Sequence, residues 1–284
     1  MEPKRGAIDS DRYKLGYSIE GEGQPLLVIG SSIYYPRTFS QNLRTKVQLI
    51  FIDHRGFVPA PANAKPDDHR LEVILEDVER IRQHLGIQRP VIVGHSGHGY
   101  MALEYAKRYP SNASHVVMIA TGPSHADADM HLAEQYWQEA VCPERKEKFH
   151  REISRLASDI ERTPEKKFIS LCLRLGARMW KDWNYDASPL WQDVYNNMPA
   201  LDYLWGHAFK KIDVTKGLAQ MKVPVFLALG RFDYSVAPYS SWARVRPHFH
   251  DLTVRVFEES SHTPQLEESE LFDRELIGWL TSKS

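Results

Sequence analysis

The chain has 284 residues, and its 36 Lys and Arg nearly balance 37 Asp and Glu to leave a net charge of −1. That balance gives neither nucleic acid nor an anionic membrane an electrostatic foothold. No apolar run reaches a membrane span, the opening MEPKRGAIDSDRYK is polar, and the two cysteines, Cys142 and Cys172, lie far apart. A cytoplasmic protein with no disulfide framework, no metal site and no membrane segment is expected.

Tyr13 to Glu20 alternates as a half-exposed strand does, and Gly21-Glu22-Gly23 marks a turn. Pro25 to Gly30 reads as a buried strand running into Ser31-Ser32-Ile33-Tyr34-Tyr35-Pro36, and Val47 to Ile52 is the next, ended by Asp53-His54-Arg55-Gly56. From Asp67, the residues Leu71, Ile74, Val78, Ile81 and Leu85 recur at helical spacing until Gly86. Val91-Ile92-Val93 is a β-branched run, followed at once by Gly94-His95-Ser96-Gly97-His98-Gly99 and then by Met101, Ala102, Tyr105, Ala106 and Tyr109 at helical spacing up to Pro110. A strand at 115–120 completes this half. Segments from 124 to 211 are helix-like, and the alternation resumes with a strand at 223–229, a helix near 240–246, a strand at 252–257 and an amphipathic helix near 271–280. Strands alternating with helices predict a mostly parallel sheet covered on both faces: an α/β core over 1–123 and 212–284, with a helical cap over 124–211.

A strand, a tight glycine-bounded turn and a helix, with serine at the tip, form the setting of a nucleophile elbow. Gly94, His95, Ser96 and Gly97 fit Gly-x-Ser-x-Gly, but His98 stands at the last glycine position and Gly99 comes one residue late. A serine needs a base to take its proton and a third group to orient that base. Asp233 follows the strand at 223–229, and His262 follows the strand at 252–257. The order Ser96, Asp233, His262 is that of a Ser-Asp-His triad on this kind of sheet, which makes Ser96 the candidate nucleophile, His262 the general base and acid, and Asp233 the orienting carboxylate. No His-Glu-x-x-His spacing and no Lys-Ser/Thr-terminated phosphate loop is present.

Over nearly its whole length the chain resembles the α/β-hydrolase superfamily, and within it the proline iminopeptidase branch. The residues that carry this are Asp53-His54-Arg55-Gly56, Gly230-Arg231-Phe232-Asp233 with Pro238, the Ala-Leu-Glu-Tyr-Ala helix at 102–106, and Trp180-Lys181-Asp182-Trp183-Asn184, which is similar to Trp-x-x-Trp-Glu. The resemblance implies an α/β-hydrolase fold, a cofactor-free acyl-enzyme mechanism and an oxyanion hole made by the N–H groups of Gly97 and Ser32, or of Ser31 if the register slips by one. It also implies a carboxylate for a substrate ammonium, but Asn184 stands in its place, with Asp182 and Asp186 as possible substitutes.

Tyr34 and His98 beside the elbow, with Trp180 and Trp183 in the cap, are the candidate substrate contacts. His98 could equally fill space against Tyr34 or Tyr35. His95, His54 and Arg55 read as bracing residues. The cap holds Trp137, Trp180, Trp183, Trp191, Tyr195, Tyr203, Trp205 and Phe209, some for its own core and some for the roof of a cleft. The expected activity is hydrolysis of a small carboxylic ester or amide. Removal of an N-terminal proline, ligand binding with negligible turnover, and a cofactor-free lyase or oxygenase reaction remain alternatives on the same scaffold.

Overall fold

In the computed structural model, which describes residues 2–283, eight strands form one sheet: β1 (Lys4–Ser10), β2 (Tyr13–Glu20), β3 (Gln24–Gly30), β4 (Val47–Asp53), β5 (Val91–His95), β6 (His115–Ile119), β7 (Val225–Gly230) and β8 (Leu252–Phe257). Their spatial order is β1-β2-β4-β3-β5-β6-β7-β8. All neighbours from β4 through β8 are parallel, while β1–β2 and β2–β4 are antiparallel. The sheet is therefore mostly parallel, as the alternation of elements predicts.

The central strands are continuous apolar runs because both of their faces are covered. Successive residues point to opposite sides. Leu27, Ile29, Ile50, Ile52 and Ile92 pack with α1 (Leu71–His84) and α2 (Gly97–Arg108) on one face. Leu26, Val28, Phe51, Val91, Val93 and Val117 face the other way. After α2 come the helices between β6 and β7: α3 (Asp127–Ala140), α4 (Pro143–Ile153), α5 (Leu156–Arg162), α6 (Lys167–Arg174), α7 (Gly176–Met179), α8 (Ser188–Trp191) and α9 (Met198–Tyr203). A π-helical turn at Leu204–Ala208 follows α9. The chain ends with α10 (Pro264–Glu267) and α11 (Ser269–Ser282), whose Phe272, Leu276 and Trp279 cover the second face.

Strand β1 has no apolar signature, and sequence reasoning passes over it. It is an edge strand held by its ladder to β2, so only Ile8 and Ser10 turn inward. Asp11 and Arg12, both at positive φ, make the two-residue turn between β1 and β2. Arg55, just past β4, is fully buried and binds Asp77 of α1 through Nε at 2.6 Å and Nη2 at 2.9 Å. Its guanidinium lies 4.5 Å over the Tyr13 ring. It ties the β4 loop to α1 and takes no part in the cleft.

Candidate active site

Ser96 sits between β5 and α2 at φ 57° and ψ −128°. A non-glycine residue held there stores on the order of 1–3 kcal/mol of strain, so its surroundings must fix it. Three hydrogen bonds do so. The Ser96 N–H donates to the Ile119 carbonyl at 2.8 Å, and the Ser96 carbonyl accepts from the Gly99 N–H at 3.0 Å and from Thr121 Oγ1 at 2.9 Å. The close approach of helix to strand falls on Gly94, where a Cβ would lie 2.0 Å from the His98 carbonyl oxygen. The elbow therefore tolerates His98 at the last motif position. Gly99 meets a different need, since a Cβ there would lie 1.9 Å from Thr121 Oγ1.

The loops after β7 and β8 bring Asp233 and His262 together. His262 Nδ1 donates to Asp233 Oδ2 at 2.7 Å, and Asp233 Oδ1 accepts the Ser235 N–H at 2.9 Å. Both residues are buried. With Nδ1–H spent on the carboxylate, Nε2 is the nitrogen left to accept a proton. The His262 loop is fastened on both sides. Its own N–H donates to the Met179 carbonyl at 2.9 Å, while Ser261 N–H and Thr263 N–H donate to Glu267 Oε2 at 3.0 Å each.

One cavity of about 390 Å³ takes in Ser96, Gly97 and His262. Its wall comprises Tyr34, Tyr35, Phe57 and Tyr100 from the core side, and Phe168, Leu171, Leu175, Met179, Trp191, Trp205 and Phe209 from the helices above. No Asp, Glu, Lys or Arg lines it. The roof lies close over the elbow: a Cβ at Gly97 would meet the Phe209 ring at 2.6 Å and the Trp205 ring at 3.0 Å.

A family model described as the alpha/beta hydrolase fold matches residues 26–269. The chain belongs to this family. AB hydrolase superfamily protein YclE of Bacillus subtilis strain 168 is 41% identical over 277 residues, 98% of this chain and 99% of the relative. The crystal structure of a proline iminopeptidase from Mycobacterium smegmatis superposes with a TM-score of 0.74 at 17% identity, covering 99% of this chain and 98% of that one. A thermophilic esterase from Thermogutta terrifontis gives 0.69 at 18% identity, with 99% of each chain covered. The protein is a hydrolase of this family, and these two structures share its fold. No helix among its described residues is long and apolar enough to cross a membrane, and none of their His, Cys, Asp and Glu side chains form a group of three or more suited to a metal ion.

Several expected site residues of the hydrolase are placed differently. Ser32 turns out of the cavity: its N–H donates to Asp53 Oδ1 at 2.6 Å and its hydroxyl to Oδ2 at 2.9 Å, while burial raises the Asp53 pKa to about 6. Ser31 is the residue that lines the cavity. The one-residue shift arises at Gly30, whose φ of 151° lets the chain swing sharply as it leaves β3 and lets Tyr35 pack against it. Trp180 and Trp183 do not line the cavity either. They line a separate groove, where the Trp180 and Tyr185 rings lie 4.5 Å apart at a tilt of 46°. Met179 ends α7 and Trp180 is extended, so the two neighbours point opposite ways and it is Met179 that reaches the cavity. Asp182, Asn184 and Asp186 do not line the cavity either; Asn184 accepts from Lys148 Nζ at 2.8 Å on the exposed side.

Tyr34 lines the cavity and lies 4.3 Å from Trp191. His98 lines it too, but both of its ring nitrogens bind protein groups: Tyr35 Oη at 2.8 Å and His54 Nε2 at 2.9 Å. It therefore presents ring carbon to the cavity. The residues that sequence reasoning missed have a legible signal. Phe168, Leu171, Cys172 and Leu175 fall at i, i+3, i+4 and i+7 along α6, a single apolar stripe that turns out to be the cavity wall.

Proposed function

We propose that the protein hydrolyses a small, neutral, apolar carboxylic ester through an acyl-enzyme on Ser96. Burial and hydrogen bonding around the His262–Asp233 pair leave Nε2 to take the Ser96 proton as the hydroxyl attacks the carbonyl carbon. The developing oxyanion receives the N–H of Gly97 and that of Ser31. The Gly97 N–H opens α2, where a helix has no internal acceptor for it. Such a donor is worth about 3–4 kcal/mol of barrier. His262 returns the proton to the leaving alkoxide, and water activated by the same nitrogen then releases the acid.

The observation that carries this reading is the cavity's composition. An aminopeptidase must neutralise the substrate's α-ammonium, and a desolvated ammonium without a carboxylate partner is strongly penalised. The cavity wall is mostly aromatic and aliphatic, with Ser31, His125 and Ser235 among its polar members, and holds no carboxylate. This supports an uncharged substrate and disfavours N-terminal proline. The volume suits an acyl group and an alcohol of a few carbons each, or a single aryl ring.

The test pairs p-nitrophenyl butyrate with proline p-nitroanilide, using wild type and Ser96→Ala. Turnover of the ester alone, lost in Ser96→Ala together with covalent labelling by a fluorophosphonate, is expected. Turnover of the proline substrate would overturn the neutral-substrate assignment, and labelling that persists in Ser96→Ala would overturn the nucleophile.

A further inference from the structure

At the floor of the cleft, four buried side chains make a continuous row: His54 after β4, His98 in α2, Tyr35 after β3 and His95 at the end of β5. Each ring nitrogen has an assignable role, because three backbone groups fix the proton positions independently. The Gly56 N–H donates to His54 Nδ1 at 3.0 Å, so His54 carries its proton on Nε2. His98 Nδ1 lies 3.2 Å from the His95 carbonyl and must be a donor, so its Nε2 is an acceptor. His95 Nε2 lies 2.6 Å from the His262 carbonyl and must also be a donor, so its Nδ1 is an acceptor.

These assignments close without conflict. His54 Nε2–H donates to His98 Nε2 at 2.9 Å. His98 Nδ1–H also donates to Tyr35 Oη at 2.8 Å, and the Tyr35 hydroxyl donates onward to His95 Nδ1 at 3.4 Å. Every donor in the row points the same way, and the last one lands on the backbone of the catalytic base. Reversing any one tautomer would set two donors or two acceptors against each other, so the row has one satisfied arrangement. All three rings are held neutral by burial.

We propose that His54, His98, Tyr35 and His95 act as a positioning chain that fixes the His262 carbonyl, and with it the aim of the His262 ring. The proposal rests on the reading of His262 as general base. His54 is the informative end. It does not line the cavity, yet it supplies the proton that holds His98, and through Tyr35 the His95 tautomer.

Two measurements test it. Long-range ¹H–¹⁵N spectra of the wild-type protein, assigned with single-histidine variants, should show the Nε2–H tautomer at His54 and His95 and the Nδ1–H tautomer at His98. The opposite tautomer at His95 or His98 would overturn the chain. In ester turnover, His54→Met should lower kcat about tenfold with KM little changed, and His54→Gln, whose amide can donate from the Nε2 position, should restore most of it. Equal loss in both variants, or none in either, would reject the positioning role. Ester turnover that survives in Ser96→Ala would instead sink the serine mechanism while leaving the tautomer result readable, so the two failures are distinguishable.

Discussion

Glu267 offers a direct measure of how the His262 loop is held. Its carboxylate accepts three backbone N–H groups: Lys181 on Oε1 at 2.8 Å, and Ser261 and Thr263 on Oε2 at 3.0 Å each. Two of those donors flank His262, and the third belongs to the helical segment that roofs the cleft. A hydrogen bond to a charged group contributes roughly 1.5–3 kcal/mol, less where water can take over. Glu267 is partly exposed, so Glu267→Ala is expected to cost about 2–4 kcal/mol in all rather than the full value of three bonds. For a chain of this size that is a Tm loss of roughly 3–7 °C. Loosening the His262 loop should also lower kcat by about 10–100-fold. Glu267→Gln separates the two effects. Its single carbonyl oxygen can still serve Ser261 and Thr263, but its amide NH₂ then faces the Lys181 N–H. It should keep kcat within about threefold while losing about 1–2 kcal/mol of stability. Thermal unfolding and ester kinetics on the same preparations read both quantities. An alanine variant with unchanged Tm and kcat, or a glutamine variant as inactive as alanine, would refute the reasoning.

Two further outcomes follow from the geometry. Gly97→Ala places a Cβ 2.6 Å from the Phe209 ring, so the roof must lift away from the nucleophile; kcat/KM should drop about 100-fold while fluorophosphonate labelling slows in parallel, and an unimpaired variant would show that the roof yields freely. Stability should also depend on pH in a defined sense. His54 and His95 are pushed down to about 3, and His98 is lowered too, against about 6.5 in the unfolded chain. Their contribution is complete above pH 6.5 and is lost as pH falls toward 3, because only the unfolded chain takes up those protons. Asp53, raised to about 6, opposes them over part of that window. Urea unfolding at pH 7 and pH 5 should differ by roughly 3–4 kcal/mol in favour of pH 7; equal stability at the two values would contradict the buried, neutral histidines.

What was legible in the sequence was the part built from burial and local turn chemistry. Strands β5 to β7 read as unbroken apolar runs because helices cover both sides, and the elbow is visible because glycine and serine at that spacing leave few other conformations. Asp233 and His262 were nominated by strand ends and chain order, and their side chains meet at 2.7 Å. Other features depend on how the backbone turns. Gly30 swings the chain so that Ser31, not Ser32, meets the cavity. Extended geometry at Trp180 sends that ring away from the cleft that Met179 enters. The tryptophan pair at 180 and 183, similar to a family motif, gave a pattern but no direction. Strand β1, polar and at the edge, is specified by the hairpin turn at Asp11-Arg12 and the register with β2, neither of which a hydrophobicity pattern records.

The chain order of the site has a consequence for how the enzyme is made. Ser96 and its elbow leave the ribosome first, the roof helices next, and Asp233 and His262 last. All the hydrogen-bond partners that fix the strained turn, Gly99, Ile119 and Thr121, thus precede Asp233 and His262 in the chain. The His262 N–H closes onto the Met179 carbonyl and the Tyr234 N–H onto that of Arg178. The loops that carry Asp233 and His262 are therefore fastened to a segment synthesised before either of them.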